Sequence, residues 1–244
     1  MTEVPGSRPG LPSFRFDRPW SALGVAGAGL IATVIVIALS SSWRSALTGW
    51  PAWAVSLVDI VLINAPMALA VFGAARIGAS RSEGLSARGR IETRGIDVLL
   101  GLSLAVMMRG LVELIVPTTG SLGGATLDAG ALETVVGVAV LVVGYVAVSP
   151  IVEELFFRGL IQRATTQIGG GAWLSRIAAI AVTTALFVLL HVGTIGVTPT
   201  WAIFVAGVIV GLGCGALVAA TGRVTGAVVA HVGFNGSGVI LLLV

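Results

Sequence analysis

The chain is a series of long apolar stretches separated by short polar segments. Each stretch is long enough to cross a bilayer as a helix, which takes about 20 predominantly apolar residues. There are seven, at 20–40, 50–73, 96–116, 131–157, 173–196, 200–220 and 224–243. The pattern predicts an all-α polytopic membrane protein, a bundle of about seven transmembrane helices.

Composition supports this fold class and excludes a soluble one. Hydrophobic residues make up 56% of the chain and charged residues only 10%, whereas a soluble domain has about 25% charged residues. The expected partner is therefore the lipid bilayer, and no nucleic-acid partner is expected. All fourteen basic residues are arginine. A lysine-free sequence rich in Ala, Gly and Val indicates a multi-pass protein of a bacterial plasma membrane.

The arginines are unevenly distributed between the predicted loops. Twelve lie on the side of the N-terminus and one, Arg44, on the opposite side. Cytoplasmic loops carry the excess of basic residues, so the N-terminus is predicted to be cytoplasmic. Residues 1–19 are then a cytoplasmic tail, and 20–130 contain three spans with an arginine-rich cytoplasmic loop at 74–95. Residues 131–244 form a membrane core.

Three polar clusters interrupt the apolar stretches of this core. Such side chains cost several kcal/mol in a bilayer unless they are paired or hydrated, so the first interpretation of each is functional. Together they predict a catalytic site built within the membrane. The clusters contain Glu153, Glu154 and Arg158 in the fourth stretch, His191 in the fifth, and His231 with Asn235 in the seventh.

The first cluster follows Pro150, which is expected to kink the helix just before the acids. Adjacent residues on a helix point about 100° apart, so Glu153 and Glu154 cannot face the same point. Glu154 and Arg158 have the i, i+4 spacing that favours an ion pair, and we assign them as a structural pair. Glu153 remains as a free carboxylate that can take a proton from water. The alternative is an ordinary charged end to a span.

The second cluster is related to the first by the turn between the fourth and fifth spans, which we place at 169–171. Glu153 and His191 are almost equidistant in sequence from this turn. Equal helical rise on both arms predicts that the carboxylate and the imidazole meet at one water molecule. This places His191 toward the outer end of its span, unless the hairpin protrudes into the cytoplasm.

In the third cluster His231 and Asn235 again have i, i+4 spacing and share a helix face. An imidazole and an amide can together donate two hydrogen bonds to a developing oxyanion, or hold a metal ion or a water molecule. Ser237 stands in a sequence that weakly resembles a serine-nucleophile turn, but the first glycine of that turn is replaced by Asn235.

Two further patterns favour structural interpretations. Arg109 and Glu113 in the third span form an i, i+4 pair, interpreted as a structural or helix-docking contact, with a role in substrate access as the alternative. Gly207, Gly211 and Gly215 place three small residues on one face of the sixth span. Such a face allows close helix packing within the bundle, or else forms a homodimer contact.

The polar clusters resemble the three motifs of the CPBP family, the CAAX proteases and bacteriocin-processing enzymes of the Abi type. The resemblance covers roughly residues 131–243 and includes the context Pro150-Ile-x-Glu-Glu-Leu-x-Phe-Arg-Gly159. In chain order the motifs are Glu153-Glu154-x-x-x-Arg158, Phe187-x-x-x-His191 and His231-x-x-x-Asn235.

This resemblance implies a polytopic helical bundle and an intramembrane peptidase, whose eukaryotic members cleave three residues from prenylated C-a-a-X proteins. It implies that Glu153 is the general base that activates water, assisted by His191. His231 and Asn235 would stabilise the oxyanion, and Glu154 with Arg158 would organise the site.

The resemblance leaves the cofactor open, because members are commonly called metalloproteases. Glu153, His191, His231 and Asn235 could hold a divalent metal such as zinc with an open position. Asn is a poor zinc ligand, so we expect no required metal.

Two other functions fit the same residues. A proton-coupled transporter could use buried acids and histidines as a relay, but its inverted repeats and broken helices are not evident in the sequence. An immunity or scaffold protein could keep the family fold without activity. The expected substrate of the peptidase is a membrane-associated protein or peptide, prenylated or secreted, and in a bacterium a prenylated one is the less expected.

Overall fold

The computed structural model describes residues 16–78, 93–118, 131–193 and 200–243. Every element in these ranges is helical, and seven helices are long and apolar enough to cross a membrane. The prediction of an all-α, seven-span membrane protein is therefore confirmed. The elements are α1 (Pro19–Ala38), α2 (Ser40–Ala46), α3 (Ala52–Gly78), α4 (Gly95–Ile115), α5 (Ala131–Leu141), a π-helical segment (Val142–Val148), α6 (Ser149–Glu154), a second π-helical segment (Leu155–Gln162), α7 (Arg163–Ile168), α8 (Trp173–Gly193), α9 (Thr200–Thr221) and α10 (Thr225–Leu243).

The predicted spans match these helices to within a few residues, except in the fourth. That span was expected to end at residue 157, but the helix continues to Ile168, about 16 Å further at 1.5 Å per residue. The extension mixes polar residues with the buried apolar residues Leu160, Ile161 and Ala164, so its hydropathy is lower than that of the span before it. That the hairpin protrudes into the cytoplasm, which would account for the position of His191 in its span, stays a prediction. Its turn contains Gly170 and Gly171, both at positive φ, where other residues would be strained.

Small residues bring the helices of the C-terminal half into close contact. A Cβ atom at Gly211 would lie 2.6 Å from the Cγ2 atom of Thr184 on α8, and one at Gly207 would lie 3.2 Å from Val188 Cγ2. The glycine face of α9 therefore packs inside the bundle, as one of its two interpretations proposed. On the other side of the bundle, a Cβ at Gly233 of α10 would lie 2.9 Å from the Cβ of Ala105 on α4.

The N-terminal helices are anchored by a buried acid. Asp59 on α3 accepts hydrogen bonds from Trp43 Nε1 at 2.8 Å and from Arg44 Nε at 2.9 Å, both on the short helix α2. The hydrogen bond to Asp59 raises the pKa of the Arg44 guanidinium above its usual value. Further along α3, Asn64 Nδ2 donates to Ser149 Oγ at 2.9 Å and so joins the first half of the chain to the helix of the acids.

The predicted orientation can be checked by cysteine labelling with Cys214 removed. Parts of the predicted tail and loops, residues 1–15, 79–92 and 119–130, lie outside the described residues, and Thr165 lies in α7. Because the arginine excess fixes the cytoplasmic side, cysteines at Ser82 and Thr165 should react with an impermeant reagent only in inverted vesicles. A cysteine at Ser121 should react only on intact cells. The opposite pattern would invert the topology.

Candidate active site within the membrane

The helix that carries the two acids is irregular on both sides of them. The segments Val142–Val148 and Leu155–Gln162 are π-helical, and only Ser149–Glu154 between them is α-helical. π-helical turns are rare and are frequent at functional sites. Pro150 lies in the short α-helix between the two π-helical segments, and the kink expected there stays a prediction.

Glu154 is the centre of a buried charge cluster. Its Oε1 atom lies 3.1 Å from Arg158 Nη1, and both side chains are 0% exposed. The same oxygen lies 2.9 Å from His231 Nδ1. The predicted pair of Glu154 and Arg158 is confirmed, but it has a third member from α10 that the sequence did not indicate. A buried carboxylate with an arginine and an imidazole beside it is much less costly in an apolar interior than an isolated one.

Arg158 and Gln162 extend this buried polar row toward α9. Arg158 Nη2 donates to the carbonyl oxygen of Gly211 at 3.3 Å, and Gln162 Nε2 donates to that of Gly215 at 2.9 Å. Gln162 was missed in the sequence, although its spacing of four residues from Arg158 was the available signal. The row fixes the helix of the acids against α9, so the position of Glu154 is set from two sides.

Glu153 lies on a different face and is 12% exposed. Its Oε2 atom is 3.9 Å from Nε2 of His191 and 3.9 Å from Nε2 of His231. These separations are too long for direct hydrogen bonds and are those at which a bridging water should be considered. The predicted meeting of Glu153 and His191 at equal height is therefore observed, and His231 completes a three-membered group.

Hydrogen bonds at the other ring nitrogen set the tautomer of each histidine. His191 Nδ1 lies 2.8 Å from the carbonyl oxygen of Phe187, which can only accept. Nδ1 therefore carries the proton, and Nε2 of the neutral ring presents a lone pair toward Glu153. In His231, Nδ1 likewise faces the Glu154 carboxylate, so its Nε2 donates only when the ring carries both protons.

The aromatic ring of Phe187 packs beside the imidazoles of His191 and His231. Its ring centroid is 4.2 Å from that of His191 and 5.7 Å from that of His231. The Arg158 guanidinium lies 4.9 Å from the same ring. In the sequence Phe187 stands out only as the first residue of the motif that ends at His191. In the structure it excludes water from one side of both imidazoles, which strengthens electrostatic interactions there.

Asn235 is held by a backbone group that Pro150 leaves unpaired. The Ser149 N–H donates to the carbonyl oxygen of Gly144, five residues earlier. If the same five-residue spacing continued, the carbonyl oxygen of Tyr145 would accept from the N–H of residue 150. Proline has no N–H, and Asn235 Nδ2 donates to Tyr145 O instead, at 3.0 Å. One amide hydrogen is thus used to fix the side chain, and the second remains for a ligand.

The described residues do not form a preformed set of metal ligands. No group of three or more His, Cys, Asp and Glu side chains with the spacing of metal ligands occurs among them. In addition, Asn235 directs its nitrogen at Tyr145 O, and His231 Nδ1 faces Glu154. The arrangement fits a bound water better than a four-coordinate metal, whose ligands lie about 2.0–2.2 Å from the ion.

Asp97 and Ser237 have structural partners away from the candidate site. Asp97 binds Arg223 Nη2 at 2.6 Å, at the predicted cytoplasmic end of the α4 and α10 pair. Ser237 Oγ donates to Phe234 O and accepts from Arg109 Nε, so it is not placed as a nucleophile beside a histidine. Cys214 is buried and free.

Fold and site together define a class: a polytopic membrane protein in which a carboxylate and two imidazoles lie close together, with the Asn235 amide four residues beyond His231 on the same helix. Residues 135–237 match the family model described as "Type II CAAX prenyl endopeptidase Rce1-like". This segment is an Rce1-like domain, and the predicted resemblance to the CPBP family is confirmed for it. Comparison with curated proteins and with solved structures gives no match.

Proposed function

We propose that the protein is an intramembrane endopeptidase that hydrolyses a peptide bond with a water molecule activated by Glu153. The observation that carries the proposal is the position of one Glu153 oxygen at 3.9 Å from the Nε2 atoms of both His191 and His231. The Rce1-like match at 135–237 supports the general kind of activity.

In the first step, water bound between Glu153 and His191 attacks the carbonyl carbon of the substrate. One proton of the water passes to the Glu153 carboxylate as the new carbon–oxygen bond forms. His191 Nε2, a lone-pair acceptor when Nδ1 is bound to Phe187 O, orients the water through its second hydrogen. When the tetrahedral intermediate collapses, the carbon–nitrogen bond breaks and Glu153 returns the proton to the leaving amine.

The negative charge on the former carbonyl oxygen is stabilised by Asn235 and His231. Asn235 offers its second amide hydrogen, since the first is held by Tyr145 O. When its ring carries both protons, His231 can donate from Nε2, while Nδ1 donates to Glu154, which Arg158 also pairs. Donors fixed before the reaction cost no reorganisation when the charge develops.

The substrate is a membrane-associated protein or peptide that enters from the cytoplasmic side. His231 lies less than two turns from the start of α10 at Thr225, and the arginine distribution predicts that this end is cytoplasmic. Glu153 lies in the helix that continues to Ile168, and we expect the part beyond Arg158 to extend toward the cytoplasmic side. A substrate in the inner leaflet would reach the acids without crossing the outer half of the bilayer.

A peptide-library assay tests the proposal. Wild type and Glu153→Gln, purified in detergent, are incubated with synthetic peptides, and new termini are identified by mass spectrometry. Cleavage by wild type alone supports the endopeptidase, and the cleaved sequences define its specificity. If wild type cleaves no more than the variant, a non-enzymatic role, such as a transporter or an immunity or scaffold protein, takes precedence.

We expect hydrolysis to persist after treatment with a strong chelator and dialysis. The reason is that the general base, the water site and the oxyanion donors are all supplied by protein side chains. The measurement is the turnover rate with chelator, with added Zn²⁺, and with metal content determined on the same sample. Loss of turnover with chelator and recovery with Zn²⁺ would assign a metal to the group formed by Glu153, His191, His231 and Asn235.

A further inference from the structure

Arg109 of α4 contacts the turn of α10 that carries Asn235, although it lies outside the segment 135–237 that matches the family. Its Nη2 atom donates to the carbonyl oxygen of Phe234 at 2.7 Å. Its Nε atom donates to Ser237 Oγ at 3.2 Å. The sequence indicated a docking contact at this position but not which helix it docks or what that helix carries.

These contacts act on the peptide unit that joins Phe234 to Asn235. The carbonyl of Phe234 belongs to the same planar peptide unit as the nitrogen of Asn235. The Arg109 guanidinium also lies 4.0 Å from the centre of the Phe234 ring, within the range of a cation–π contact. One side chain therefore holds both the backbone and the side chain of the residue next to Asn235.

The site is shaped to receive this guanidinium. A Cβ atom at Gly238 would lie 2.5 Å from Arg109 Nη2 and 3.2 Å from its Cζ, so a side chain there would require the guanidinium to shift. The charge is paired as well, since Arg109 Nη1 lies 3.3 Å from Glu113 Oε1. Glu113 in turn accepts from Thr118 N at 2.7 Å. Each of the three guanidinium nitrogens of Arg109, whose side chain is 16% exposed, thus donates to a neighbouring group.

We propose that Arg109 is a positioning residue that orients Asn235 for the transition state from outside the family-matching domain. The inference rests on the proposed peptidase function, because Asn235 acts there as an oxyanion donor. Asn235 is restrained from two sides: its side chain by Tyr145 O, and its backbone by Arg109 through Phe234. Displacement of the backbone would misdirect the second amide hydrogen even with the first bond retained.

A double-mutant cycle with steady-state kinetics tests this role. Arg109→Met should lower kcat by about 10- to 100-fold with little change in KM, because a small misplacement of a catalytic group can cost about 10²-fold. In an Asn235→Ala background, the same substitution should lower kcat little further, because the residue it positions is already absent. Arg109→Lys should recover only part of the loss, since lysine lacks the planar fork.

The matched control is Asp97→Asn, at the opposite end of the same helix pair. Asp97 binds Arg223 at 2.6 Å, so this variant also loosens α4 from α10, but far along α10 from Asn235. It should lower the melting temperature and leave kcat unchanged. Gly238→Ala keeps Arg109 but occupies the space of its guanidinium, so it should lower kcat even if Arg109→Met fails to fold.

Two results would overturn the inference. One is a wild-type kcat in both Arg109→Lys and Gly238→Ala, and the other is full additivity of Arg109→Met with Asn235→Ala. Hydrogen exchange over residues 231–238 gives a readout that needs no substrate. Arg109→Lys and Gly238→Ala should raise exchange there and Asp97→Asn should not. If wild type cleaves no peptide, the proposed function fails. Independently of that result, the positioning role of Arg109 is refuted if hydrogen exchange over 231–238 is the same in Arg109→Lys and Gly238→Ala as in Asp97→Asn.

Discussion

Replacement of Glu153 by glutamine should reduce peptide hydrolysis by about 10²- to 10⁴-fold, the usual cost of losing a positioned general base. The amide has the shape of the carboxylate but cannot take a proton from water. Glu153 is 12% exposed, and its nearest charged or ionisable neighbours are the two imidazoles at 3.9 Å. The fold should therefore tolerate the change, and the melting temperature should stay close to that of wild type.

Glu133→Gln is the matched control for this prediction. Glu133 lies near the start of α5, in the same long span, and is exposed. The identical chemical change there should leave turnover unaltered. Turnover of the Glu153→Gln variant is measured on the best peptide from the library. A rate within a few-fold of wild type would remove Glu153 from the role of base.

Glu154→Gln and Arg158→Met should each destabilise the fold strongly. Both side chains are 0% exposed, and their charged atoms are 3.1 Å apart. Removal of one member leaves the other buried without its partner, which typically costs about 3–5 kcal/mol. Glu154→Gln also removes the charge beside His231 Nδ1, so it should impair hydrolysis in addition to stability. The measurement is thermal unfolding in detergent, followed by turnover of the folded fraction.

Two comparisons separate this effect from a general sensitivity of the bundle. Arg44→Met makes the same change in an ion pair whose arginine is 52% exposed and whose acid keeps its hydrogen bond from Trp43 Nε1, so the expected loss of stability is smaller than for Arg158→Met. The double variant Glu154→Gln with Arg158→Met should lose less stability than the sum of the single variants, because neither charge is then stranded. Wild-type melting in both single variants would show that the pair contributes nothing to stability.

The sequence by itself determined the class of fold and the local pairings. Apolar stretches of fixed length predict spans because a bilayer leaves the backbone no partner outside a helix. Helical periodicity also predicted that Glu154 and Arg158 pair and that Glu153 points elsewhere. Both statements concern residues within one helix, where spacing alone fixes geometry. The prediction that Glu153 and His191 lie at the same level followed from their similar distances in sequence from the turn of one helical hairpin, because both helices rise equally per residue.

Only the tertiary structure decided which residues that are far apart in sequence contact each other. His231 joins Glu154, and Asn235 binds Tyr145 O, only because α10 packs beside the irregular helix of the acids. The π-helical segments and the extension of the fourth span to Ile168 were likewise seen only in the structure. The sequence indicated that Arg109 makes a contact between helices, but which residues it contacts depends on how α4 packs against α10. Sequence spacing fixes contacts along a helix, whereas contacts between helices require their relative rotation and depth, which only the assembled bundle sets.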